Sequence, residues 1–175
     1  MHGLIFTAFR QYCWTRLDEH GDAVSRGLPN YVMTESYPDE DFNTLVERAV
    51  EVSGRSRRDI LVDFGRFTGF WVFRVMRGDF YEESGNTLQF LLDVESRIHE
   101  TVRESTPLAA PPRLHVIPLG EDGVSISYTS ERKLCELLEG LVLGVAEYYG
   151  EEVSIEQPLC MHRGDVACSV LVTSA

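Results

Sequence analysis

Tyr128-Thr129-Ser130-Glu131-Arg132 lies where the alternating stretch Val124–Tyr128 gives way to a long apolar helical pattern, and its reading decides the fold. In an extended segment alternate side chains point the same way. Tyr128, Ser130 and Arg132 therefore converge on one target. The first two supply neutral hydroxyls, and Arg132 supplies a planar charged fork suited to a carboxylate. The grouping predicts a grip on an acidic ligand.

The flanks make this half of the chain a sheet with one helix. Upstream, Arg113–Pro118 and Val124–Tyr128 read as two strands joined by the hairpin signal Gly120-Glu121-Asp122-Gly123. Downstream, Lys133–Tyr149 reads as a helix with Leu134, Leu137, Leu138, Leu141, Val142 and Val145 on its buried side, and Gly150 stops it. Val153–Pro158 and Val166–Thr173 read as two more strands. The outline is an antiparallel four-stranded ββαββ half.

The first half reads as helical. Residues 2–17 carry the stripe Leu4, Ile5, Ala8, Phe9, Tyr12. A helix starts after Asp39, with Phe42, Leu45, Val46 and Val50 on one face. Another starts at Ser56, where Ser-Arg-Arg-Asp resembles a capping box, and runs toward Phe73 with Gly65 and Gly69 marking close packing. Phe67, Phe70, Trp71 and Phe73 are expected in the core. Residues 86–103 form a further helix, with Leu88, Leu91, Leu92, Ile98 and Val102 on a stripe that also holds His99; Asp93 and Glu95 are the acids nearest it. Thr106-Pro107 ends that helix, and Ala109-Ala110-Pro111-Pro112 is stiff and extended. Together the halves predict one α+β domain over residues 1–175.

Composition narrows the partners. With 16 Lys and Arg against 28 Asp and Glu the formal charge is −12, so nucleic acid and anionic membrane surfaces are excluded as expected partners. The start Met-His-Gly-Leu-Ile-Phe shows no basic leader, and no apolar run is long enough to span a bilayer. Four cysteines in such a chain point to a reducing, cytoplasmic setting. No Ser-His-Asp grouping, phosphate loop or paired-acid site stands out, so a binding and sensing module is expected, not an enzyme.

His99 on an apolar stripe is by itself most simply a hydrogen-bonded core histidine. Three features together point further. Its surroundings suit a flat apolar cofactor, Pro111-Pro112 can press on that cofactor, and Tyr128, Ser130 and Arg132 offer anion recognition. Heme needs all three: an axial nitrogen, an apolar slot and partners for two propionates.

Here the chain resembles the heme nitric-oxide/oxygen-binding (H-NOX) domains, related to the sensor domain of soluble guanylate cyclase. The resemblance rests on the Met-x-Gly-x-Ile start, the helix Leu-Leu-Asp-Val-Glu-Ser-Arg-Ile-His99, Pro-Pro-Arg-Leu at 111–114 and Tyr128-x-Ser130-x-Arg132, and it runs nearly end to end. It implies heme b with His99 as the iron ligand and Tyr128, Ser130 and Arg132 on the propionates. Ile5 and Pro112 fall where the family packs residues that distort the macrocycle. The position from which oxygen-binding members donate a tyrosine hydroxyl corresponds to Leu137, with Phe9 and Thr68 as its supporting positions. The resemblance thus implies a nitric oxide sensor that discriminates against oxygen. By the same resemblance the gas weakens the bond to His99, and the helix 86–103 then shifts. The signal passes to a separate histidine kinase or cyclic-di-GMP enzyme. The alternative is a heme-free small-molecule or zinc/thiol redox-sensing domain of similar fold. A heme redox enzyme would want distal acid-base residues, which an apolar distal side withholds.

Cys160-x-His162-x5-Cys168, with Cys135 at the start of the preceding helix, offers tetrahedral zinc ligands at a spacing that is no standard finger. Small buried thiols in a reduced core are the plainer reading. Some H-NOX members have a similar cysteine pattern and hold a structural zinc, so the resemblance implies a zinc ion here. Cys13 reads as a lone packing thiol.

Overall fold

The computed structural model describes residues 1–17, 21–105 and 110–175, for residues 72–78 and 105 the backbone alone. Helix α1 (Gly3–Arg16) opens on His2, whose side chain accepts a hydrogen bond from the Leu4 amide, and it buries Phe6, Phe9, Tyr12 and Cys13. A short helix α2 (Gly21–Ser25) follows, which the sequence pattern did not announce. Helix α3 (Asp39–Ser53) begins at Asp39 itself, with Asp39, Glu40 and Asp41 in its first turn, where the helix dipole favours acids. Helix α4 (Arg57–Phe67) is capped by Ser56, whose Oγ accepts from the Asp59 amide at 3.1 Å.

The expected run from Ser56 toward Phe73 is not one regular helix. It passes through a π-helical turn, Thr68–Val72, before α5 (Phe73–Ser84). Phe67 is buried and Phe70 half-buried, but Trp71 is 50% exposed, so the aromatic cluster is only partly core. The wider pitch of the π turn rotates Trp71 out of the buried face. The side chain of Phe73 lies outside the described part, as does the helix stop at Thr106-Pro107 and Ala109. The helix expected over 86–103 is likewise broken: α6 (Thr87–Val94), a π turn over Glu95–His99, and α7 (Glu100–Ser105).

Strands β1 (Arg113–Pro118), β2 (Gly123–Thr129), β3 (Val153–Leu159) and β4 (Cys168–Ser174) form one antiparallel sheet in the order β1-β2-β4-β3. The fold is the expected α+β arrangement with a ββαββ second half. β4 starts at Cys168, with Val166 outside it and 94% exposed. The register pairs Leu114 with Tyr128 and Tyr128 with Cys168, so these three form one row across the sheet; Val116, Ile126 and Val170 form the next. Helix α8 (Cys135–Tyr149) begins two residues later than the pattern suggests. Ser130–Lys133 closes as a turn, the Lys133 amide donating to the Ser130 carbonyl at 3.1 Å, and Lys133 has φ +49°.

Helix α8 divides the interior. Leu134 and Leu137 pack with Phe6, Phe9, Phe42 and Phe64 among the helices, whereas Leu138, Val142 and Val145 pack against Phe80, Phe90 and the sheet. It can lie this deep because α4 and α8 meet backbone to backbone. A Cβ on Gly140 would stand 2.0 Å from the Val62 carbonyl oxygen, and one on Gly65 would stand 2.4 Å from that of Leu137. The packing role expected of Gly65 is thus realised against a partner glycine that the sequence did not single out.

Candidate functional site: an apolar cavity lined by His99

A cavity of about 200 Å³ opens between α1, the segment carrying His99, α8 and the β1–β2 face of the sheet. Carbon dominates its wall: Leu4 and Ile5 from α1; Leu91, Val94, Ile98 and Val102 from the His99 segment; Leu114, Val116 and Ile126 from the sheet; and Leu137, Leu138, Leu141, Val142 and Val145 from α8. This shape follows from the sequence periods. Alternation puts Leu114, Val116, Ile126 and Tyr128 on one sheet face, and the i, i+3, i+4 spacing of α8 sets its leucines opposite.

His99 faces this cavity with its side chain 16% exposed. Its Nδ1 lies 2.9 Å from Glu95 Oε2. Glu95 Oε2 also accepts from the Leu114 amide at 3.2 Å, and Oε1 accepts from the Arg103 guanidinium. Burial lowers the His99 pKa and outweighs the opposing pull of Glu95. Burial also works against the Glu95 carboxylate, but the hydrogen bonds from His99, Arg103 and the Leu114 amide outweigh it and hold its pKa below the ordinary value. A neutral imidazole that donates from Nδ1 keeps its lone pair on Nε2, the arrangement found in metal-ligating histidines.

The Tyr128, Ser130 and Arg132 side chains all line the cavity. The cause differs from the one expected. The strand ends at Thr129, so only Tyr128 points by strand alternation, and the Ser130–Lys133 turn brings Ser130 and Arg132 round. The buried Tyr128 hydroxyl accepts from the Leu134 amide at 2.9 Å, and Ser130 Oγ accepts from the Arg132 amide at 3.3 Å. Arg132 Nε donates to Asp39 Oδ2 at 2.8 Å and its Nη1 donates to the Ala110 carbonyl. Asp39 Oδ1 in turn accepts from the Met1 ammonium at 2.8 Å. Asp39 was visible in the sequence only as a helix start; its pairing with Arg132, 93 residues away, had no sequence signal.

Ile5, Pro112 and Leu137 border the cavity as well. Phe9 and Thr68 are not among its lining residues. Phe9 is fully buried among Phe42, Phe64 and Tyr12, with its ring centre 4.9 Å from that of Phe64. Thr68 is 1% exposed, and its Oγ1 has no hydrogen-bond partner among the described residues. Both were expected to support the gas site, and neither borders the cavity. His2 lines the cavity instead, an imidazole the sequence reading passed over.

A second cluster holds the thiols. Cys135, Cys160 and Cys168 are buried with their Sγ atoms all within 4.8 Å of one another, and Cys135 and Cys160 are 3.8 Å apart. His162 does not join all three. It groups with Cys135 and Glu136, and its Nε2 lies 2.8 Å from the Lys133 carbonyl oxygen. Burial pushes the Cys135 thiol up. It also opposes charge on Cys160, but bonds from the His162 amide and the neighbouring thiols outweigh it and lower the Cys160 value. Cys13 stands apart in α1, where burial pushes its thiol up to about 12.

The site geometry can be set beside known proteins. Residues 2–157 match the haem-NO-binding family. No curated protein sequence matches the chain significantly. Among solved structures the chain is similar to an H-NOX protein from Shewanella oneidensis in the Fe(II)NO ligation state, at 20% identity and TM-score 0.89, covering 100% of this chain and 99% of that one. It is similar also to the Fe(II) unliganded H-NOX protein from K. algicida, at 18% identity and TM-score 0.84, covering 100% and 97%. A third is the I5F mutant of T. tengcongensis H-NOX, at 22% identity and TM-score 0.84, covering 99% and 97%. At these identities the structures speak for the fold, and the family match over most of the chain speaks for membership. The chain belongs to the haem-NO-binding family, the H-NOX proteins, whose members are heme-binding gas-sensor domains.

Proposed function

We propose that this domain senses nitric oxide through a ferrous heme b held on His99 and passes the signal to a separate effector protein. One observation carries the reading: the imidazole facing a carbon-lined cavity has Nδ1 2.9 Å from the Glu95 carboxylate, a pairing that would leave Nε2 for a metal. Heme, when bound, supplies a ferrous iron with one coordination position open to a diatomic gas. Tyr128, Ser130 and Arg132 then take the carboxylates, Arg132 from a guanidinium already oriented by Asp39. Ile5 and Pro112 on the cavity wall would pack against the heme.

Gas preference follows from what α8 presents. Leu137, Leu141 and Val145 carry no hydrogen-bond donor, whereas dioxygen on iron needs one to stabilise its partial charge. Nitric oxide binds ferrous heme without that help, so the pocket favours it. The cavity-lining side chains able to donate, His2, His99, Tyr128, Ser130 and Arg132, all stand outside α8. The effector is expected to be a histidine kinase or a cyclic-di-GMP enzyme that reads a shift of the α6–α7 segment.

The test is optical. The ferrous protein should keep its spectrum in air-saturated buffer and change it on addition of nitric oxide. A stable change in air would overturn the discrimination, and a protein that stays colourless when supplied with hemin would overturn the heme reading itself.

The thiol cluster fits a structural zinc. Ligands about 2.3 Å from a tetrahedral ion stand about 3.8 Å from each other, the spacing of Cys135 and Cys160. We infer that Cys135, Cys160 and Cys168 hold it, with His162 completing the set by turning from the Lys133 carbonyl.

A further inference from the structure

Glu95 stands four residues before His99 within the π turn, where the Glu100 amide donates to the Glu95 carbonyl. In this wider helix the two side chains lie nearly one above the other. Helical ion pairs of this spacing are usually solvated and loosely held. Here the Glu95 and His99 side chains are 26% and 16% exposed, and three donors on three elements converge on one carboxylate: His99 from the π turn, Arg103 from α7 and the Leu114 amide from β1. An ionised carboxylate only accepts, so the proton must sit on Nδ1. Isolated imidazole has no such constraint.

We propose that Glu95 is the positioning residue of the proximal side: it selects the His99 tautomer that leaves Nε2 able to ligate, fixes the plane of the ring, and makes the ring a stronger donor to iron. Through the Leu114 amide the same carboxylate ties the imidazole to β1, two residues from Pro112 on the cavity wall. A displacement of His99 is thereby felt by the sheet as well as by its own helix. The inference rests on His99 as the iron ligand, but the tautomer is a property of the apoprotein and can be read without heme.

Three variants test it: Glu95→Gln keeps an acceptor and removes the charge, Glu95→Ala removes both, and Arg103→Ala leaves the carboxylate in place. In the apoprotein above the His99 pKa, two-bond proton–nitrogen NMR should show His99 protonated at Nδ1 in the parent and in Arg103→Ala, and shifted toward the Nε2-protonated form in Glu95→Ala. In the loaded ferrous protein the iron–histidine stretching band should fall in the order parent, Glu95→Gln, Glu95→Ala. Transfer of heme to apomyoglobin should quicken by about 10- to 100-fold in Glu95→Ala, the usual effect of losing such a support. An Nε2-protonated parent, or a tautomer and band unmoved in a folded Glu95→Ala, would overturn the proposal. Failure to bind heme would instead strike the sensor reading, and the apoprotein NMR would still decide the role of Glu95.

Discussion

Leu137 of α8 carries the proposed gas preference. It is buried and borders the cavity, so a tyrosine there would place a hydroxyl in a dry site. The added hydrogen bond is worth about 1–3 kcal/mol, so Leu137→Tyr should raise oxygen affinity roughly 5- to 150-fold. Oxygen titration of the ferrous protein checks this. The thiols give a second prediction at this scale. Reduced protein should carry one zinc by metal analysis, and Cys160→Ser or Cys168→Ser should lose it. His99, Tyr128, Ser130 and Arg132 could be picked out by residue type and spacing alone. Glu95 was visible only as a nearby acid, because its partners Arg103 and Leu114 become neighbours through the π turn and the approach of β1.

Between elements, the α4–α8 crossing sets the depth of the helix that lines the cavity. Gly144 sits in this contact, where a Cβ would stand 2.2 Å from the Arg66 carbonyl oxygen. Backbone atoms cannot give way as a flexible side chain can. Gly144→Ala should therefore force the helices apart at a cost of about 1–3 kcal/mol, an overpacking effect. For a chain of this size that is a melting-temperature loss of roughly 2–4 °C per kcal/mol, measurable by thermal unfolding. Helices α1, α3, α4 and α8 were legible from apolar period and cap chemistry, down to Ser56 as an N-cap, whereas α2 and most of α5 were not. Nor were the two π turns. A π turn depends on the extra residue being accommodated by tertiary packing, and the sequence of Thr68–Val72 or Glu95–His99 carries no pattern that demands it.

Across the whole molecule, Asp39 joins the start of α3, the Met1 ammonium and Arg132 at the cavity mouth. Burial opposes its charge, but hydrogen bonds from Arg132 and the N-terminus outweigh it and lower its pKa. A depressed carboxylate contributes stability above its unfolded value of roughly 4, and that contribution is lost as pH falls through the folded value. Asp39→Asn should accordingly lower the urea midpoint at neutral pH and leave a shallower decline below about pH 4. Urea titrations across that range would show it.

By itself the sequence determined the fold class, most of the helices, the sheet half with its single long helix, and the candidate site residues His99, Tyr128, Ser130 and Arg132. These follow from local periodicity and from residue chemistry, which any short window contains. The tertiary structure alone decided that the Ser130–Lys133 turn brings Ser130 and Arg132 to the cavity, that Phe9 and Thr68 do not border it, and that His2 does. It alone decided that Asp39 holds Arg132 and Glu95 holds His99. Most of these depend on distances between residues that chain order keeps apart, and all on how closely backbones pack and where buried charges find their counterions.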